Sequence, residues 1–178
     1  MVGEAANGPD ALRGVRAGHA AGQGPDVVLL DIAMPQRDGL DVLKALKSEF
    51  PKLPVLWIES GLAWIPFLMQ KLDHEYMLRP SEAPLLKKKP SEYMRDMYYS
   101  TQPMEIQDMQ ALEVTFRMMN AETQLMYSSD YPHWDFDLPS TIYDLPFLKE
   151  KAKRDILGGN AVKLFKLDIG GKKYAKVA

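Results

Sequence analysis

"FPKLPVLWIESG", residues Phe50–Gly61, closes one helical pattern and opens a strand. Pro51 and Pro54 stop the helix, because proline has no amide proton and disfavours helical backbone in the residue before it. "LPVLWIE" follows as an apolar run ending in a carboxylate, Glu59, the pattern of a strand buried on both faces in a parallel sheet. Moving upstream, "VVLLD" (Val27–Asp31) has the same form, "MPQRDG" is turn chemistry, and Leu40, Val42, Leu43 and Leu46 carry a helix to Phe50. Pro9–Ala17 reads as a helix with Asn7 or Gly8 near its cap and Ala11, Leu12 and Val15 on one face. The order strand, helix, strand, helix, strand implies βα units.

Downstream, Leu62–Leu72 has apolar residues at helical spacing, with Pro66 near a first turn. "MYYS" (Met97–Ser100) is a short aromatic strand, Asp108–Asn120 an amphipathic helix with Asp108 in its first turn, and "QLMYSSD" (Gln124–Asp130) a strand again ending in a carboxylate. A helix over Glu150–Leu157, a turn at "GGN" and a short helix through Leu164 complete the pattern.

The bulk numbers exclude several classes of function. The chain has 178 residues, 46% of them hydrophobic, and a net charge of −2. That is enough for a globular core, and there is no basic field to attract nucleic acid or acidic lipid. The absence of cysteine excludes disulfides, thiolate metal sites and cysteine nucleophiles, and fits a reducing, cytoplasmic compartment. "MVGEAANGPD" lacks a signal-peptide pattern, and no apolar run approaches the roughly 20 residues of a spanning helix. The expectation is a soluble protein with neither nucleic acid nor membrane as partner.

Two resemblances meet in the quoted stretch. "VVLLDIAMPQRDGLDVLKAL" resembles the receiver domain of bacterial response regulators, and "VGEAANGPDAL" its second strand and helix, over residues 1–56. The resemblance implies that Asp31 is a phosphoacceptor, with magnesium as the cofactor of phosphoryl transfer. The family's first strand and its acidic pair would lie before Met1. Its strand-four hydroxyl aligns with Glu59, and its lysine has no counterpart, so the alternative is that Asp31 simply caps a strand end.

From Pro51 to Asp168, "WIESGLAWIPFLMQKLDHEY", "PSEYMRDMYYSTQP", "SSDYPHWDFD" and "ILGGNAVKLFKL" resemble the C-terminal part of the amidohydrolase-related family of metal-dependent (β/α)8 barrels, which includes aminocarboxymuconate semialdehyde decarboxylase. That resemblance implies Asp130 as metal ligand or catalytic base at the end of the eighth strand, and Glu59 at the sixth-strand position that holds histidine in the decarboxylases. His133, Asp135 and Asp137 add donors for a divalent zinc or manganese ion, and a small-molecule substrate is implied. The family's His-x-His pair is absent, since the histidines are His19, His74 and His133. The expected site is therefore incomplete. Lys87–Lys89 reads as a solvated loop and His74 as a surface residue.

The expected architecture is α/β, with about five parallel strands in a twisted sheet or partial barrel. A receiver-like segment (1–56) shares its last strand with an amidohydrolase-like segment (51–168), and residues 169–178 form a tail. Open sheet edges would favour a homo-oligomer. Three functions follow: a metal-dependent hydrolase or decarboxylase fragment, a phosphoacceptor signalling module, or an inert scaffold.

Overall fold

The structure is a computed structural model that describes residues 4–25, 27–31 and 33–169. It divides into two compact units, Met1–Pro54 and Val55–Ala178.

In the first unit, α1 (Gly8–Ala20) starts at Asn7, whose side chain accepts from the Asp10 amide at 3.0 Å, and α2 (Gly39–Glu49) starts at Asp38, which accepts from the Asp41 amide at 2.8 Å. Each cap satisfies an amide that the helix leaves without a partner. Leu12 and Val15 of α1 are buried against Val42 and Leu46 of α2. Gly8 is required at their contact, because a Cβ there would lie 2.4 Å from the Arg37 carbonyl oxygen. Arg16 of α1 pairs with Glu49 of α2, its Nε 2.8 Å from the carboxylate, and the His19 ring stacks on Phe50 at 4.3 Å.

Val27–Asp31 corrects an expectation. It forms no strand; Val28 and Leu30 pack on the helices, while Val27 and Leu29 are 53% and 81% exposed. The alternation shows one apolar face in use. With no ladder partner among the described residues, the apolar run is not buried on both sides. The expected strand at the very start of the chain lies mostly outside the described residues.

The second unit is a parallel sheet with helical crossovers, as expected for α/β. Its strands are β1 (Leu56–Trp57), β2 (Tyr98–Ser100) and β3 (Leu125–Met126), in the order β1-β2-β3, with Trp57 opposite Tyr99 and Tyr99 opposite Leu125. Among the described residues there are three strands rather than about five. Between β1 and β2 run α3 (Trp64–Leu78) and α4 (Pro90–Met94); between β2 and β3 run α5 (Met109–Met119) and α6 (Ala121–Gln124). Then come α7 (Ser140–Tyr143), α8 (Glu150–Arg154) and α9 (Asn160–Phe165).

Local chemistry explains these boundaries. Glu105 accepts from the Leu62 and Ala63 amides at 3.0 and 3.2 Å just ahead of α3, and Trp64 Nε1 donates to the Ser60 carbonyl at 2.9 Å. Pro66 lies in the first turn of α3, where its missing amide proton costs nothing. Asp108 is the N-cap of α5 rather than a member of its first turn and accepts from the Gln110 and Ala111 amides. Asn120, left-handed at φ 58°, ends that helix. The expected turn at "GGN" is instead continuous helix: one π turn, Asp155–Gly159, joins α8 to α9. The buried Asn160 explains this by donating to the Glu122 and Leu125 carbonyls at 3.0 and 2.8 Å, which seats the helix on the end of β3.

The core of this unit joins Leu62, Ile65 and Met69 before and within α3, Tyr99 of β2, Leu112, Phe116 and Met119 of α5, Leu125 of β3, and Ile142 and Ile156. No helix among the described residues is long and apolar enough to cross a membrane.

Tyr99 is fully buried, its hydroxyl donates to the Met94 carbonyl at 2.9 Å, and burial pushes its pKa up to about 12. An unfolded tyrosine ionises near pH 10. The unfolded chain therefore releases this proton first, so stability is intact below pH 10 and falls as pH rises from there towards 12. Tyr99→Phe should cost about 1 kcal/mol at pH 8 for the lost hydrogen bond yet lose less stability between pH 9 and 11 than the parent, as read by urea unfolding. Equal alkaline losses in the two proteins would show that Tyr99 is not the responsible group.

Candidate metal centre

Parallel strands of an α/β sheet direct their C-terminal ends to one side, and there the polar groups of the second unit collect. β1 runs out into Glu59, β2 into Thr101 and Gln102, and β3 into Ser128, Ser129 and Asp130. Two of these residues leave their strands abruptly: Glu59 and Asp130 have φ of 55° and 58°, in the left-handed region that non-glycine residues seldom occupy. Such backbone persists only where its surroundings hold it in place.

Those surroundings are hydrogen bonds between strand ends. The Glu59 amide donates to Ser100 Oγ at 3.1 Å, joining the ends of β1 and β2. Thr101 Oγ1 donates to the Ser128 carbonyl at 3.2 Å and accepts from the Ser128 amide at 3.0 Å, joining the ends of β2 and β3. Beyond β3 the chain turns back on itself: the His133 amide donates to the Asp130 carbonyl at 2.9 Å, the Asp137 amide to the Ser129 carbonyl at 2.9 Å, and the Tyr127 hydroxyl to the Asp137 carbonyl at 2.7 Å.

The result brings Glu59, Asp130 and His133 together, with one ligand-type atom from each lying within 4.8 Å of the others. His133 Nδ1 and Asp130 Oδ2 are 2.6 Å apart. That hydrogen bond, followed by the charges of Asp130, Glu59 and Asp135, raises the imidazole pKa above its ordinary value. The site therefore favours a positive charge between two carboxylates. Asp130 is largely covered, with 23% of its side chain exposed, whereas His133 is 62% exposed and open to an incoming ligand. Two carboxylate oxygens and an imidazole nitrogen form a donor set suited to zinc or manganese, so the residues present fit a divalent ion.

The other residues singled out in the sequence lie elsewhere. Asp31 belongs to the first unit, is exposed, and accepts from the Ala33 amide at 3.1 Å; no cationic side chain bonds it among the described residues. Asp135 and Asp137 stand outside the three-residue cluster, and burial raises the Asp137 pKa. His74 is exposed on α3, and Lys88 pairs with Asp96 while lying 4.8 Å above the Tyr93 ring. Sequence reasoning missed Ser100 and Gln102. The signal available was "STQ", a polar run directly after an aromatic strand, with all three residues 5% exposed or less.

The family profile described as "Amidohydrolase" matches residues 27–167, beginning upstream of Pro51. A short stretch is 43% identical over 60 residues to a protein-glutamate methylesterase/protein-glutamine glutaminase of Halalkalibacterium halodurans, covering 34% of this chain and 16% of that protein. Such short matches accord with the receiver resemblance, and the chain joins that stretch to an amidohydrolase-like remainder. Among solved structures, 5-carboxyvanillate decarboxylase from Sphingomonas paucimobilis superposes with a TM-score of 0.54 at 28% identity, over 69% of this chain and 36% of that one. The 5-carboxyvanillate decarboxylase of Novosphingobium aromaticivorans, crystallised with manganese and 4-hydroxy-3-methoxy-5-nitrobenzoic acid, does so at 0.53 and 18% identity, over 85% of this chain and 44% of that one. This chain thus spans less than half the length of each of these proteins. With the profile covering most of its residues, the chain belongs to the amidohydrolase family.

Proposed function

We propose that the chain binds one divalent cation through Glu59, Asp130 and His133, as the strand-end metal centre of an amidohydrolase-type hydrolase or decarboxylase. The observation that carries this reading is the convergence of three ligand-type side chains, two of them on left-handed backbone, at the ends of parallel strands. The manganese in the decarboxylase of the same fold supports the choice of metal. When bound, such an ion supplies Lewis-acid polarisation of a substrate carboxylate or carbonyl oxygen. Asp130 and Glu59 contribute the negative charge that holds it, and His133 must give up its proton to act as a ligand.

Turnover by this chain is a separate matter. Three donors leave coordination positions to be filled, and the His-x-His pair of the family's full site is not in the sequence. We therefore assign the chain metal binding and an incomplete catalytic complement. The test is elemental analysis after equilibration with manganese or zinc and gel filtration, beside an assay for release of carbon dioxide from hydroxybenzoates. One ion per chain with no turnover is the expected result. Metal-free protein after equilibration contradicts the reading, and turnover contradicts the incompleteness.

A further inference from the structure

Gln102 is 2% exposed, a depth at which an amide needs partners for both of its polar ends. Its Nε2 has them: the Asp135 carbonyl oxygen at 3.3 Å and the Asp135 carboxylate at 3.4 Å. Its Oε1 has none and is the one such buried side-chain atom among the described residues. Turning the amide over does not help, because Oε1 would then face two acceptors. A buried carbonyl without a donor costs stability, and an apolar side chain of the same size would pack there without that cost. Packing therefore does not account for the glutamine.

Its contacts suggest what does. The Gln102 main-chain N–H donates to Ser128 Oγ at 3.4 Å, while its side chain holds Asp135. One residue at the end of β2 thus bonds both flanks of the segment Ser128–Asp135. That segment carries Asp130 and His133, two of the three clustered groups. No other side chain of β2 or its extension reaches Asp135 in the hydrogen bonds among the described residues.

We propose that Gln102 is a positioning residue, whose side-chain amide clips the segment after β3 so that the His133 imidazole stands against Asp130. The inference rests on the metal-centre reading for its purpose, but the clip itself exists without metal. Partners one shell beyond a ligand orient it, and losing them costs metal affinity by roughly 10- to 100-fold.

The variant Gln102→Met separates this role from packing. It keeps the length and bulk of the side chain, deletes the donor, and also deletes the unpaired carbonyl. The thermal midpoint should stay level or rise, while manganese affinity falls roughly 10- to 100-fold. In the metal-free protein, the His133 ring resonances in a long-range proton–nitrogen spectrum should shift from their Asp130-bonded position towards those of a free histidine. Asp135→Ala, at an exposed position, keeps the backbone acceptor and should show the same changes at smaller size.

A lowered midpoint with unmoved His133 resonances in Gln102→Met would make the residue structural and overturn the proposal. If the parent binds no manganese, the ring resonances still decide: a shift in the variant upholds the clip and removes only the metal reading. Parent binding that the variant retains in full, with the ring unmoved, overturns the clip and leaves the metal reading standing.

Discussion

The Asp130→Ala variant should take up manganese at least about 100-fold more weakly than the parent protein, since losing even a group one shell removed from a metal costs roughly 10- to 100-fold. Asp130 stands centrally in the cluster: it is the largely covered carboxylate, it bonds His133 through both main chain and side chain, and its backbone is left-handed. Alanine tolerates that backbone poorly, so Asp130→Asn is the companion variant. Asparagine adopts left-handed φ readily and can still bond His133, but it carries no charge. Its thermal midpoint should stay close to that of the parent while manganese affinity falls by a similar factor. Calorimetric titration reads the affinity and a thermal unfolding scan the midpoint. Parent-like affinity in Asp130→Asn would show that the aspartate charge has no part in binding.

The second large effect is on stability. Leu125 is fully buried in β3, opposite Tyr99 in the sheet, in the same core as Leu62, Ile65 and Met119. Leu125→Ala removes apolar contacts and leaves a cavity beside a sheet that has three strands among the described residues, for which about 2–5 kcal/mol of destabilisation is expected. Urea unfolding followed by tryptophan fluorescence suits the measurement, because Trp57 and Trp64 pack against this core. A loss well under 1 kcal/mol would mean that this core does not hold the sheet together.

Much of this fold can be read from local chemistry. Asn7 announces a helix start because a short oxygen-bearing side chain caps a free amide, whereas Asp38, which reads as turn chemistry, and Asp108, which reads as part of a first turn, prove to be caps in the structure. The apolar spacing of α1, α2 and α5 follows from burying one face. "VVLLD" misleads because an apolar run has the pattern of a buried strand, whereas a strand exists only when a neighbour supplies its ladder. "GGN" misleads for the opposite reason. Glycine favours a break, but the buried Asn160 side chain finds two carbonyls, on Glu122 and Leu125, that outweigh it. Neither tertiary partner is visible in the local sequence.

The candidate site divides in the same way. Asp130 is legible through the family resemblance, as the carboxylate that ends a strand, and His133 as a further donor three positions on in the same loop. Glu59 is legible as a strand end, but its approach to Asp130 depends on parallel order and register, which one strand cannot disclose. Gln102 shows in the sequence only as part of the polar run "STQ" after an aromatic strand, which does not disclose its role. Its importance is visible only once burial and an unpaired carbonyl are seen together.

The most direct measurement is pulsed electron paramagnetic resonance on the full chain loaded with one equivalent of manganese, with His133→Ala as the control. Binding by Glu59, Asp130 and His133 predicts a nitrogen-14 modulation from one directly bound imidazole, absent from the variant. Manganese with the spectrum of the hydrated ion, or a nitrogen signal that persists in His133→Ala, would contradict the assignment of the centre to these three residues.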